Sequence, residues 1–354
     1  MRIAEFFTGI FRFRAWRAAY FTANVHIYFL AIFYLLLITD FARSSLDTVA
    51  LTFIVLIYLS YGFLVNDYFD LPYDIMAGKD HGLGKIPRSQ IVALLALLLL
   101  LAFVLAVLTT HDWIFTAVLA LSFLLSTLYS APPFRLKGRG MLGFICDSTI
   151  EKPLPVLIAF AFFQHYGIDT ISFVVLADTI QFHSVLNQQI DDFDADVRTG
   201  VRTFVTRIGE LRSRKILRYA FYPLNVVTII LFILTIAAGA RFAILGIVLG
   251  SLTLFIGLLV LTCSKSNQDI RNEIVAESGP LYRSSRIPVT IAYLNVGFEG
   301  LIVSILALYV VVLSFHFAPL VFLYLGSLYY YTGVYFVLGS YFLTKIIRTY
   351  TPAH

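Results

Sequence analysis

Two short acidic runs carry the chemistry open to this 354-residue chain. The first is NDYFDLPYD, residues 66–74. On a helix Asp67 and Asp70 stand three apart, while Asn66 with Asp70 and Asp70 with Asp74 stand four apart, so all four side chains share one face. The second run, DDFDADVRTG, holds Asp191, Asp192, Asp194 and Asp196, and Asp192 with Asp196 repeats the four-residue spacing. Like charges at these spacings destabilise a bare helix, so two such clusters imply a shared ligand. With no His or Cys among them, the oxygens of Asn66, Asp67, Asp70, Asp74, Asp192 and Asp196 suit a hard cation. Mg2+ fits best, since it keeps waters and substrate phosphates in its shell. Basic residues flank both runs: Lys79, Lys85 and Arg88 after the first, Arg198, Arg202 and Arg207 after the second, and Arg135, Lys137 and Arg139 between them. As a group they read as a clamp for a diphosphate.

Apolar helices must position these runs. The chain is 59% apolar and 13% charged, with mean hydropathy +0.85, which excludes an ordinary soluble domain, a disordered chain and a disulfide scaffold. The two cysteines, Cys146 and Cys263, sit in apolar stretches. Apolar runs predict spans at 20–39, 47–66, 91–110, 113–130, 142–164, 169–189, 217–238, 242–262, 289–315 and 318–344. The expected fold is an all-α membrane bundle of nine or ten transmembrane helices. Residues 1–19 form an amphipathic interfacial segment without a signal-peptide pattern, 20–344 one transmembrane domain, and 345–354 a tail. All 26 Lys and Arg except Arg43, Arg241 and Lys152 then fall on the side of the termini, which the positive-inside rule makes cytoplasmic. This topology accounts for the net charge of +5 without nucleic-acid binding, and a multi-pass protein of the cell (inner) membrane is expected. Both acidic runs follow the second helix of a pair at equal depth, as in an internal repeat whose equivalent ends face one another.

Charges inside spans are costly and carry a functional reading by default. Asp147 and Glu151 are four apart with Lys152 adjacent, which fits a structural ion pair and a role in acceptor binding or proton removal equally well. Asp178 and His183 do not share a face, and His183 reads as a packing residue. Glu299 reads as a helix–helix hydrogen-bonding group. Tyr68 and Tyr129 offer ring faces to a passing cation.

These residues resemble the UbiA superfamily of intramembrane prenyltransferases, whose hallmark is Asn-Asp-x-x-Asp-x-x-x-Asp after helix two and a second aspartate motif after helix six. NDYFDLPYD meets every defined position. Asp192, Asp196, Gly200, Thr203, Arg207 and Gly209 meet the second pattern, with Asp194 at its usual acidic position, and YSAPPFRLKGRG (129–140) is similar to the family's Tyr-Ser-x-Pro-Pro loop. The likeness runs over about residues 20–315. It departs from the family in Lys85 and Pro87, which follow the first motif at a longer spacing, in Val205 where Pro is common, and in a possible tenth span at 318–344.

The resemblance implies an all-helical fold, commonly of nine helices, with Mg2+ between the motifs. The metal would bind the diphosphate of a prenyl donor and assist its departure, so that the allylic cation attacks an apolar or aromatic acceptor. Asp70, Asp192, Arg135 and Lys137 are then the catalytic candidates. Asn66, Tyr129, Lys85, Arg198, Arg202, Arg207, Asp147 and Glu151 are the substrate-binding ones. The implied partners are a prenyl diphosphate, an apolar acceptor and the lipid bilayer. Two other readings remain open, an intramembrane terpene cyclase and a transporter for a cation or phosphorylated solute. Transporters set their coupling charges near the midplane, whereas these aspartates stand at span ends.

Overall fold

The computed structural model describes residues 25–76, 83–238, 250, 300 and 302–328, and the regular structure among them is helical. Helix α1 (His26–Ile38) is apolar along its whole length and buried almost throughout. Helix α2 (Ser45–Met76) begins where the Ser44 hydroxyl accepts the Asp47 N–H at 3.0 Å and donates to the Asp47 carboxylate at 2.7 Å, satisfying an orphan donor of the first turn. At 32 residues it measures about 48 Å, more than the roughly 30 Å hydrocarbon layer. Its last turns must therefore project past the apolar region, and those turns carry Asn66 to Asp74.

Helix α3 (Arg88–Thr109) and α4 (Trp113–Ser130) pack against α2. Asp112 caps α4 by accepting the Ile114 N–H at 2.8 Å. The span expected over 142–164 is instead two helices, α5 (Met141–Glu151) and α6 (Pro153–Phe162), broken at Lys152. Pro153 explains the break: it has no N–H to give, and its ring would clash with the carbonyl of Thr149 if the helix continued. Helix α7 (Ile168–Asp191) then packs on α5 and α6 and leads into the second motif.

The second motif forms two short helices, α8 (Phe193–Thr199) and α9 (Phe204–Ile208). Helix α10 (Glu210–Ile216) continues through a π turn at Leu217–Phe221 into α11 (Tyr222–Ala238), which lies along α7. Helices α12 (Val303–Leu313) and α13 (Ala318–Ser327) complete the described chain, with α12 against α1.

Among the described residues four helical stretches are long and apolar enough to cross a membrane: Ser45–Met76, Arg88–Thr109, Trp113–Ser130 and Glu210–Ala238. Helix α7 has the length, at 24 residues, but Asp169, Asp178, Gln181, His183 and Asn187 keep it too polar for that group. The expected span at 242–262 apart from residue 250, residues 289–299 and 301 of that at 289–315, residues 329–344 of that at 318–344, the segment 1–19 and the tail 345–354 lie outside the described residues. So do Lys79, Cys263 and Glu299.

Two apolar clusters hold the bundle. The larger includes an aromatic knot where Phe173 of α7 meets Tyr34, Phe160 and Phe232 at ring separations of 4.9, 5.2 and 4.7 Å, joining α1, α6 and α11. The smaller lies under the second motif. There Phe144 of α5 stacks on Phe182, Phe204 and Phe221 at 5.2 to 5.9 Å, and Val205 is fully buried. Position 205, Val instead of the expected Pro, is thus a packing position. Truncating the shared ring, Phe173→Ala, should lower stability by about 3 kcal/mol or more, read as a drop in unfolding midpoint in detergent micelles. Phe53→Ala, at a 46% exposed position, should change it by about 0.5 kcal/mol or less.

Candidate active site

The overshooting end of α2 presents Asn66, Asp67, Asp70, Tyr73 and Asp74 to a cavity of about 200 Å3. Its opposite wall is the end of α7 and the second motif: Val185, Gln188, Gln189, Asp192, Ala195, Asp196, Thr199, Val201 and Thr203. Tyr129 at the end of α4, Lys137 from the following loop and Asp147 of α5 close the space between them. The two acidic runs, far apart in sequence, therefore share one cavity.

The second motif owes its shape to three of its own residues. Gly200 ends α8 in a left-handed conformation at φ 71°, which glycine adopts without steric cost. Thr203 caps α9, its hydroxyl accepting the Thr206 N–H at 3.3 Å. Gly209, at φ 86°, separates α9 from α10. These positions fold the loop back, so that Asp192, Asp196, Thr199 and Thr203 all face inward.

The loop after α4 supplies the cations. Arg135 sits at φ 36°, and this left-handed turn points its guanidinium back over α2. There it donates to the Phe69 carbonyl at 3.4 Å and to Asp70 Oδ1 at 3.1 Å, and it lies 4.4 Å from the Tyr73 ring centre. The Lys137 ammonium donates to Asn66 Oδ1 at 2.9 Å and to Asp70 Oδ1. Ser130 donates to the same Asn66 oxygen at 3.0 Å. Burial pulls the Lys137 ammonium below its ordinary pKa, and the Asp70 carboxylate opposes that shift by favouring the charged form. Asn66 thus orients Lys137, and Asp70 holds both loop cations against the first motif.

Of the remaining expected binders, Arg198, Arg202, Arg207 and Glu151 are not in the cavity wall. Arg198 donates to the Asp194 carbonyl at 3.1 Å, and Arg202, like Arg198, is not in the wall. Arg207 donates to the Gly138 carbonyl at 3.2 Å, where it ties the second motif to the loop bearing Arg135 and Lys137. Lys85 ends a short 3-10 turn, Leu83–Lys85, and its side chain lies outside the described set. Glu151 stands one turn beyond Asp147 on α5 and takes a hydrogen bond from Gln181 of α7. Tyr129 hydrogen-bonds Asp147, while Tyr68 packs edge-on against Phe69 at 5.0 Å and is not in the wall. His183 contacts Asn187 at 3.2 Å and the Tyr222 ring at 5.2 Å, a packing environment.

Sequence reasoning passed over Tyr73, Gln188, Gln189 and Thr199, and named Thr203 only as a position of the second pattern. The signal for two of them was present: Tyr73 follows Asp70 by three residues and Gln188 precedes Asp192 by four, so each shares a face with an aspartate already singled out.

The donor set suits a hard cation. It is carboxylate, carboxamide and hydroxyl oxygen, with no thiolate or imidazole among the described residues of the wall. Among the described residues no three Asp, Glu, His or Cys side chains already stand together as a metal cage. Mg2+ needs no such cage, since one or two carboxylates with waters and substrate phosphates satisfy it. The residues present therefore fit it.

The model of the UbiA prenyltransferase family matches residues 18–274. A 2-acylphloroglucinol 4-prenyltransferase from Humulus lupulus is 26% identical over 153 residues, which is 41% of this chain and 37% of that relative's length. In three dimensions the chain is similar to a UbiA homolog from Archaeoglobus fulgidus solved with DMAPP and Mg2+, with TM-score 0.54 at 15% identity. That match covers 81% of this chain and 98% of the other. A digeranylgeranylglyceryl phosphate synthase matches with TM-score 0.52 at 16% identity, over 82% and 98%.

Gly140 lies at φ 64°, and a Cβ added there would stand 2.7 Å from Arg207 Cδ. Gly140→Ala should therefore destabilise the protein by about 1–3 kcal/mol. In an Arg207→Ala background the cost should shrink, because only the backbone strain remains. A double-mutant cycle of unfolding midpoints measures the difference.

Proposed function

The chain belongs to the UbiA prenyltransferase family, and from that premise we propose that it moves a prenyl group from an allylic diphosphate to an apolar, hydroxyl-bearing aromatic or lipid-like acceptor, releasing diphosphate. The observation that carries this reading is the single cavity into which both acidic runs and Lys137 open, at the ends of membrane-length helices. A long isoprenoid partitions into lipid while its diphosphate stays at the interface, so the bond to be broken belongs at such helix ends. The Archaeoglobus fulgidus homolog solved with DMAPP and with GPP, each with Mg2+, supports the donor class. The name of the Humulus lupulus relative supports an aromatic acceptor.

In this reading Asp67, Asp70 and Asp74 on one wall, with Asp192 and Asp196 on the other, hold Mg2+. When bound, the metal supplies the positive charge that a departing diphosphate needs. Lys137 and Arg135 add fixed cations, and Asn66 and Ser130 keep the Lys137 ammonium aimed. Tyr129, in the cavity wall, offers its ring where the allylic carbon becomes electron-poor, while the Tyr73 ring holds the Arg135 guanidinium. The carbon–oxygen bond of the donor breaks with its electron pair leaving on diphosphate. The acceptor's nucleophilic atom bonds to the allylic carbon and gives up a proton to Asp147, on the wall beside Tyr129. Lys85, Arg198 and Arg202 draw the diphosphate in from the membrane surface. That surface is the cytoplasmic one, by the distribution of basic residues.

The test is pyrophosphate release from geranyl diphosphate by the protein in liposomes, with a total lipid and quinone extract as acceptor source. Release should require Mg2+, stop with a chelator and return when Mg2+ is restored. Asp70→Asn and Asp192→Asn should each lower it at least 100-fold, about 2.7 kcal/mol of transition-state stabilisation. Mass spectrometry of the product distinguishes the rivals. An acceptor adduct supports transfer and a cyclic hydrocarbon means a cyclase. Absence of any Mg2+-dependent release would overturn the donor chemistry.

A further inference from the structure

One face of α7 extends the cavity wall into the membrane interior. At 100° per residue, Asp178, Gln181, Val185, Gln188, Gln189 and Asp192 fall within an arc of roughly 100°. Val185, Gln188, Gln189 and Asp192 line the cavity, and Gln181 stands one turn beneath Val185. Facing it on α5, Asp147 lines the cavity and Glu151 stands one turn beneath. Gln181 is about 16 Å along α7 from Asp192, and Glu151 is about 15 Å along α5 from Met141.

At that depth the two side chains meet, Gln181 Nε2 donating to Glu151 Oε2. Gln181 is 1% exposed, yet its Oε1 has no partner among the described residues. Such an orphan is uncommon in a protein interior. Three residues deeper on the same face, Asp178 Oδ1 is likewise buried without a partner. Lys152 is the cation nearest in sequence to Glu151 and is 2% exposed. The layer packed beneath the cavity is therefore rich in hydrogen-bond acceptors, and its carboxylates Glu151 and Asp178, with Asp147 in the wall above, outnumber its one ammonium among the described residues, Lys152. It lies on the membrane side, away from the loop cations Arg135 and Lys137 that suit a diphosphate.

We propose that the Glu151–Gln181 pair is where the acceptor is recognised, taking a neutral apolar molecule through a donated hydroxyl and excluding acceptors that carry a carboxylate or phosphate. This rests on the prenyl-transfer reading above and narrows its acceptor class. Two acceptor oxygens call for O–H donors, and Gln181 Oε1 gains the bond it lacks when one arrives. An anionic head in the same place would face Asp147, Glu151 and Asp178 at low dielectric, where like charges repel strongly. A methyl ether, with no donor, would leave Gln181 Oε1 unsatisfied, and sites built for a hydroxyl reject its absence.

The experiment measures equilibrium binding of three probes to the full chain in lipid nanodiscs, corrected for empty nanodiscs: 5-pentylresorcinol, its dimethyl ether and 4-pentylbenzoate. The wild type should bind the resorcinol at least tenfold more tightly than either of the others. Gln181→Leu should weaken the resorcinol at least tenfold and leave the ether within twofold. Glu151→Gln keeps the shape and removes a charge, and should narrow the gap between resorcinol and benzoate at least threefold. Equal wild-type affinity for all three probes, tighter binding of the benzoate, or a resorcinol affinity indifferent to Gln181→Leu would overturn the assignment. The comparison of probes on the wild type needs no variant to fold. Mg2+-dependent pyrophosphate release from geranyl diphosphate by the wild type, with a total lipid and quinone extract as acceptor source, is measured in parallel. Release without probe discrimination removes the acceptor assignment and leaves the transfer reading standing. Discrimination without release removes the transfer reading, and the acceptor assignment with it.

Discussion

Six aspartates share one cavity of about 200 Å3, and Lys137 is the single cation among the described residues that line it. Two unit charges 6 Å apart repel by about 1 to 3 kcal/mol over the dielectric range met near a protein surface, so this concentration of charge must be held by force. The rest of the structure supplies the force. Helix α2 is long enough to carry Asn66 to Asp74 past the apolar layer, where water can solvate them. The loop after α4 turns through Arg135 and Lys137 so that both cations fall on Asp70. Arg207 links that loop, at Gly138, to the second motif, and the ring stack around Phe144 fixes the second motif against α5 and α7. Each of these is a local solution to the same electrostatic problem.

The break at Lys152 serves the opposite end of the cavity. A continuous helix over 142–164 would be an ordinary apolar span with two acids in it. Pro153 ends α5 at Glu151 instead. The helix end brings Glu151 to Gln181 of α7 while Tyr58 of α2 donates to the Ile150 carbonyl at 2.7 Å. That carbonyl is one of the last four of α5, which have no partner within the helix. The chain thus uses a helix terminus inside the bundle, where it is covered by protein, to build a polar floor under a polar cavity.

Much of this was legible in the sequence, and the limits have physical causes. Spacings of three and four residues gave the shared face of Asn66, Asp67, Asp70 and Asp74 because helix geometry is rigid over one turn. Pro153 was visible, but an average of hydropathy over twenty residues hides one missing hydrogen bond, so span five read as unbroken. The same averaging credited 169–189 as an apolar span, although Asp178, Gln181 and His183 make α7 the most polar of the long helices. Charge composition could not tell where a guanidinium spends its donors. Arg198, Arg202 and Arg207 read alike in a basic loop, yet Arg198 and Arg207 bind backbone carbonyls and only the loop pair Arg135 and Lys137 reaches the first motif. Gln188 and Gln189 escaped notice because uncharged carboxamides carry no signal until a helix face is already known to matter.

The charge of the cavity also constrains how an anionic donor could enter it. A diphosphate alone would add negative charge to six carboxylates and one ammonium, and each new like-charged contact would raise the energy. Hard divalent cations reverse the sign of this interaction, because carboxylate and phosphate oxygens can both be ligands of one ion. The two walls that repel a bare diphosphate then become the two sides of its binding site. Nothing comparable operates beneath the cavity, where Gln181 is buried and Glu151 and Asp178 are partly so, away from the loop cations. An anion arriving there would meet three carboxylates, Asp147, Glu151 and Asp178, against the single ammonium of Lys152 among the described residues. The same side chain, an aspartate or glutamate, therefore favours a metal-accompanied anion at one end of the cavity and a neutral hydroxyl donor at the other. What decides between them is depth along α5 and α7.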